Sequence, residues 1–242
     1  MTDLRDNAET HAGGPYADII AALQGRNATY DMLASVYFMP LTAEQVEGFA
    51  AADLSAYADI NQELAEGIND MTRYLAKRDS GTRQELAVDY TGAFGCTSSW
   101  KGRYAAPYES VHTSEEGLMF QGAYHEVYQL YRQYSVERAE GYDYPHDHLS
   151  FMCEFLVILS NRAIEALEAG DVEAAIEQLR ISRDFLKAHI LSWFDTLAEL
   201  AGHLLHTRFY RGILKFTKGF FLFDEQLLSD VIEELQARSK EA

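Results

Sequence analysis

The chain has 242 residues, 38 acidic against 20 basic side chains, a formal net charge of -18, 4 prolines and 2 cysteines. The charge excludes nucleic acid and anionic membranes as partners, since phosphates must be neutralised by Lys and Arg, and it favours a cationic partner. Cys96 and Cys153 have no metal-ligand spacing and read as reduced thiols of a cytoplasmic protein, with no disulfide framework implied.

Residues 1–15 are polar and acid-bearing, lack the basic segment and apolar core of an export leader, and read as a disordered tail. From Tyr16 the pattern turns helical. Tyr30, Leu33, Ala34 and Tyr37 recur at i, i+3, i+4 and i+7 before Pro40 stops the run. Thr42 with Gln45 forms a capping box that opens a short helix to about Ala51, and Asp53 to Asp59 reads as a connection. Helices over Asn61–Arg78 and Thr82–Phe94 follow, separated by the turn residues Asp79, Ser80 and Gly81.

Gly95–His112 has no periodicity and is longer than most connections, while its Trp100, Tyr104, Pro107 and Tyr108 argue for packing across the helices rather than disorder. Ser114 is expected to open a helix running to about Tyr134. Gly141–Leu156 then combines an aromatic-proline segment with His146, Asp147 and His148 at the entrance of a helix extending to about Ala169. Asp147 suits the N-cap of that helix, and Ser150 and Glu154, three and seven residues on, share its stripe.

Gly170 ends this helix and Asp171 caps the next, an antiparallel hairpin signature. Further helices are expected over Val172–Ile190, Leu191–His203, Arg208–Leu222 and Asp224–Ala237. With no alternating strand pattern, the fold class is all-α, about ten helices. The longest apolar runs, such as Gly219–Phe223, fall far short of the roughly 20 residues that span a bilayer, so no stable membrane insertion is expected.

Chemistry-bearing patterns are few. His146, His148, Cys153 and Glu154 are close in sequence, and His203 and His206 are spaced i, i+3, but neither set matches a metal motif. No Gly-x-Ser-x-Gly elbow occurs, and Cys153 lies among Phe151, Met152 and Phe155 as a small hydrophobe would. No catalytic residue, metal or cofactor is therefore assigned. Tyr30, Tyr37, Tyr90, Phe94, Tyr108, Tyr124 and Tyr128 are expected mainly in the core. An exposed entrance carrying Asp147, His148 and Glu154 would suit a basic and apolar peptide, its arginines paired with carboxylates.

Three stretches in order carry a resemblance: ELAVDYTGAF (Glu85–Phe94), APYESV (Ala106–Val111) and YPHDHLSFMCEF (Tyr144–Phe155). Weaker similarity covers Arg26–Leu41 and His189, Trp193, Phe209 and Tyr210. The chain resembles the TorD/DmsD family of redox-enzyme maturation chaperones. The resemblance implies a TorD-like helical bundle with an N-terminal lobe over 16–140, a hinge at 141–147 and a C-terminal lobe over 148–242, as a monomer or a domain-swapped homodimer.

It also implies a non-enzymatic cytoplasmic chaperone. Its partners would be the twin-arginine signal peptide and the apo form of a molybdopterin oxidoreductase of the DMSO/TMAO reductase type. Matching peptide-binding positions are Tyr90, Ala93, Phe94, Pro107, Tyr108, Pro145, Asp147 and His148, with Glu154 as the remaining helical acid. Ala93 replaces the family's usual Leu, and Met152 a common Glu. Two alternatives stand beside this reading: an assembly factor for a non-exported molybdoenzyme, and a metal-dependent helical enzyme using His146, His148 and Glu154. For Asp147, capping alone and capping with peptide contact are both open.

Overall fold

The structure, a computed structural model, describes residues 14–137 and 144–241. Within them the chain forms α1 (Ala17–Phe38), α2 (Ala43–Ala51), α3 (Ser55–Ala58), α4 (Gln62–Leu75), α5 (Thr82–Ala93) and α6 (Glu109–Thr113). These are followed by α7 (Gly122–Gln133), α8 (Leu149–Glu168), α9 (Val172–Phe185), α10 (Ser192–Leu204) and α11 (Arg208–Glu241). Among the described residues there is no strand; the only sheet-like pairings are single bridges, Trp100 with Arg103 and Tyr108 with His148. The all-α expectation holds. Most of the 1–15 tail and three of the seven residues of the 141–147 hinge lie outside the described residues.

α1 packs on α8, α8 on α9, and the long α11 on both α4 and α9. The main core draws Tyr30 and Tyr37 from α1, Leu86 and Tyr90 from α5, Met152 and Phe155 from α8, Trp193 from α10, and Phe216 and Phe220 from α11. A second core, with Leu23, Ile164, Ile176 and Leu228, joins the start of α1, the end of α8, the start of α9 and the later part of α11. Close approach of α4 to α11 depends on glycine: a Cβ on Gly67 would lie 2.6 Å from the backbone nitrogen of Phe216 and 2.7 Å from the Gly212 carbonyl.

The Thr42–Gln45 capping box forms as expected, Gln45 N donating to Thr42 Oγ1 at 3.2 Å and Thr42 N to Gln45 Oε1 at 2.8 Å. So does the Asp171 cap, which accepts from Ala174 N at 3.0 Å beside the left-handed Gly170. Other boundaries differ. Ser114 opens no long helix: the positive φ of Gly117 (67°) and Phe120 (62°) turns the chain, and the helix begins at Gly122. Leu191 starts nothing new either, because a π-helical turn over Leu186–Leu191 carries α9 into α10 without a break. Asp224, expected as a helix start, lies wholly buried inside α11 and is bonded to Arg26 instead.

Candidate functional site

The loop after α5 and the entrance to α8 come together by backbone pairing. Leu149 N donates to the Pro107 carbonyl at 2.8 Å and Glu109 N to the Asp147 carbonyl at 3.1 Å. Two motifs some forty residues apart thus meet, placing Pro107, Tyr108, Pro145, Asp147 and His148 in one cluster. The Tyr108 and His148 rings are 4.7 Å apart, edge to face.

Asp147 differs from its expected part. The N-cap of α8 is His148, whose Nδ1 accepts from Ser150 N at 3.2 Å. Asp147 is 0 % exposed and serves the other segment, its Oδ2 accepting from Ser110 N at 2.9 Å. Its carboxylate therefore ties the start of α6 to the entrance of α8, holding the two motif segments in register. Asp147 Oδ1 and the hydroxyls of Ser110 and Ser150 are buried with no hydrogen-bond partner among the described residues. The stripe of Asp147, Ser150 and Glu154 is split: the first two are buried and only Glu154 is exposed.

Burial sets the protonation state of the capping histidine. It pulls the His148 imidazole down to about 3, so the ring is neutral near neutral pH and Nδ1 is free to accept. Behind it, Glu109 is buried and bonded to His189 Nδ1 at 3.2 Å. Burial raises the Glu109 carboxyl, and His189 opposes that rise. The π-helical turn carries His189, whose carbonyl accepts from Trp193 Nε1, and the Trp193 ring stacks on His112.

Tyr90, Ala93 and Phe94 lie in the core. Tyr90 donates to the Tyr37 carbonyl at 2.8 Å, and Phe94 packs edge to face on Tyr37 and Tyr210. The cluster of Pro107, Tyr108, Pro145, Asp147 and His148 is buried as well. What covers it on the outside is another aromatic set. The Phe38 ring lies 5.3 Å from Tyr144, 6.0 Å from His148 and 5.9 Å from Phe151. Tyr144 is 42 % exposed, and Met39 beside Phe38 is 56 % exposed. The named site residues thus form a floor, and the surface above it is made by the end of α1 and the first turns of α8.

Of the other expected core aromatics, Tyr30 and Tyr37 are buried, whereas Tyr124 and Tyr128 are half-buried on α7, stacked on one another and packed against His146. The metal reading gains no geometry. Among the described residues no three of His, Cys, Asp and Glu gather to hold an ion; His203 stacks on Trp100 at 4.4 Å instead.

Two structural acids escaped the sequence reading. Asp89 is buried and accepts from the backbone nitrogens of His206 and Thr207, both at 2.8 Å, and from the Thr207 hydroxyl, fixing the start of α11. Asp224 receives Arg26 Nε and the Tyr30 hydroxyl, each at 2.7 Å. The signal available was a lone acid next to an apolar position in a helical run, which a solvent-facing acid shares.

The class defined by these features is an all-α bundle whose two distant proline motifs are zipped beneath an aromatic surface. The profile of the family described as nitrate reductase delta subunit matches residues 58–199, and the chain belongs to that family. It is 24% identical over 216 residues to the chaperone protein TorD of Vibrio cholerae serotype O1 (strain M66-2), covering 86% of this chain and 94% of that protein. To TorD of Vibrio vulnificus (strain YJ016) it is 25% identical over 219 residues, covering 87% and 98%. The resemblance to the TorD family found in the motifs is thereby established over most of the chain. Among the described residues no helix is long and apolar enough to cross a membrane.

Proposed function

We propose that this protein is a maturation chaperone, not an enzyme, for a molybdopterin-containing oxidoreductase of the DMSO/TMAO reductase type. It binds the twin-arginine signal peptide of that client in the cytoplasm and holds it back from export. Meanwhile the cofactor is inserted and the client folds. The similarity to proteins named TorD chaperones, which extends over nearly their whole length, supports the chaperone role. The net charge of -18 suits an arginine-bearing partner.

The observation that supports the peptide site is the pairing of the Pro107–Glu109 and Asp147–Leu149 backbones under the exposed Tyr144 and the half-buried Phe38 and Phe151. That pairing gives the peptide a rigid floor, so little conformational freedom is lost on binding. In this reading Tyr90, Ala93 and Phe94 support the floor from the core, Pro107, Tyr108, Pro145, Asp147 and His148 form it, and Glu154 meets the arginines at its edge. Calorimetric titration with a synthetic twin-arginine signal peptide tests the proposal. Saturable binding that is lost when both arginines become glutamine is the expected result; no binding, or binding indifferent to that change, overturns it.

A further inference from the structure

The surface over the site continues along the groove between α1 and α8, which run antiparallel. Asn27 Nδ2 donates to Asn161 Oδ1 at 2.8 Å at one end, and Phe38 meets Phe151 at the other. One end of this strip is apolar, with Phe38, Met39, Tyr144 and Phe151 accessible or half-buried. Toward the other end stand Asp31, seven residues before Phe38 and so on its face of α1, and Glu154, three residues after Phe151 on α8.

Many surface carboxylates of this chain are already paired: Asp18 with Arg238, Glu47 with Arg78, Glu66 and Asp70 with Lys215, Asp195 with Lys218 and Glu225 with Lys187. The side chains of Asp31 and Glu154 make neither a hydrogen bond nor an ion pair among the described residues. Partial burial raises both carboxyls, and the negative charge of Asp31 raises Glu154 further. A cation placed between them would relieve that cost, and a guanidinium, with its planar fork of donors, can serve two carboxylates at once.

We infer that the α1/α8 groove reads an arginine side chain with Asp31 and Glu154 and seats the apolar residues beyond it on Phe38, Met39, Phe151 and Tyr144. The occupant is an extended peptide lying with its arginine toward Asp31 and its apolar part toward Tyr144. Seven helical residues separate Asp31 from Phe38, about 10 Å, which an extended peptide covers in about three residues. An apolar anchor about three residues from the arginine therefore fits best. This inference rests on the signal-peptide reading above and adds Asp31, the direction and the spacing to it.

The test is a titration of the full chain with a twin-arginine signal peptide and its double-glutamine form. It uses the wild type, Asp31→Asn, Glu154→Gln and the distant exposed control Glu177→Gln. The two groove substitutions are nearly isosteric and exposed, and circular dichroism verifies the fold of each. Expected is about a ten-fold loss of affinity for either groove variant, no loss for the control, and a smaller penalty for the glutamine peptide in either groove variant than in the wild type, since part of the interaction is already gone. Moving the apolar residue from three to six positions beyond the arginine should weaken binding to the wild type.

Arginine-dependent binding that both groove variants retain undiminished overturns this inference and leaves the broader reading standing. Failure of the wild type to distinguish the two peptides overturns both. Self-association by sedimentation that Met39→Glu abolishes would assign the groove to a second copy of the chain and also overturn the inference.

Discussion

Removing the carboxylate of Asp224 should unfold this protein more readily than any surface change. Arg26 and Asp224 are both inaccessible to solvent and joined at 2.7 Å. Arg26 Nη1 donates to the Leu156 carbonyl at 3.1 Å and Nη2 to the Ser182 hydroxyl at 2.8 Å, and the group lies 4.7 Å from the Tyr30 ring centroid. One charge pair thus fastens α1 to α8, α9 and α11. Deleting one partner of such a pair leaves a buried charge uncompensated and costs about 3 to 5 kcal/mol.

For a chain of this size that corresponds to a fall in Tm of roughly 6 to 20 °C for Asp224→Ala. Urea unfolding followed by circular dichroism measures it. The double variant Arg26→Met with Asp224→Leu should lose less than the sum of its single changes, because it removes both charges together. A loss below about 1 kcal/mol for Asp224→Ala would refute the reasoning, since that is what an exposed ion pair is worth.

Gly67→Ala should destabilise by about 1 to 3 kcal/mol, because the added methyl meets backbone atoms of α11 that cannot step aside; urea midpoints at unchanged slope would register it. Asp89→Ala leaves three donors at the start of α11 without their acceptor. A cost of about 1 to 3 kcal/mol and faster amide exchange at His206 and Thr207 are expected. Asp147→Ala should cost about 1 to 3 kcal/mol, because the buried Ser110 N–H is left without its acceptor. Because Asp147 is buried, peptide affinity of the folded variant should stay close to that of the wild type; a large loss in protein shown to be folded would make Asp147 a contact.

Acid should destabilise the protein through two buried histidines. Burial depresses His148 to about 3 and His112 to about 4, below the ordinary value near 6.5. The unfolded chain then binds more protons than the folded one as pH falls below about 6.5, so stability present at neutral pH is lost until the folded values are reached. From pH 7 to pH 5 the loss is about 2 kcal/mol per histidine. Glu109, raised by burial, acts in the opposite sense at the acid end. Urea midpoints at the two pH values in wild type and in His112→Gln with His148→Gln should show the drop in the wild type alone; an equal drop in both contradicts the assignment.

Helical periodicity made the bundle legible because amphipathic repeats in Tyr30–Tyr37 or Asn61–Leu75 depend on local spacing alone. The capping box at Thr42 and the break at Gly170 and Asp171 were readable for the same reason. Asp147 and Asp224 were misplaced because an acid's partner can lie far away in sequence: Ser110 is 37 residues from Asp147, and Arg26 is 198 from Asp224. Ser114 misled because a cap residue also suits a turn, and the left-handed backbone at Phe120 has no sequence signature of its own. The motif stretches located the candidate site, yet most of their residues form its floor. Asp31, on the surface above, lies in a helix whose pattern advertised only its buried face, and Met39 sits just past that helix's end.

The claim that the groove and the paired motif segments receive a signal peptide is tested most directly by locating the peptide. A twin-arginine peptide carrying a photoreactive group in its apolar part would be irradiated with the full chain and the cross-links mapped by mass spectrometry. The account predicts cross-links at Phe38, Met39, Tyr144 and Phe151, suppressed by excess unlabelled peptide. Competed cross-links confined to α4 and α11, on other faces of the bundle, would contradict it.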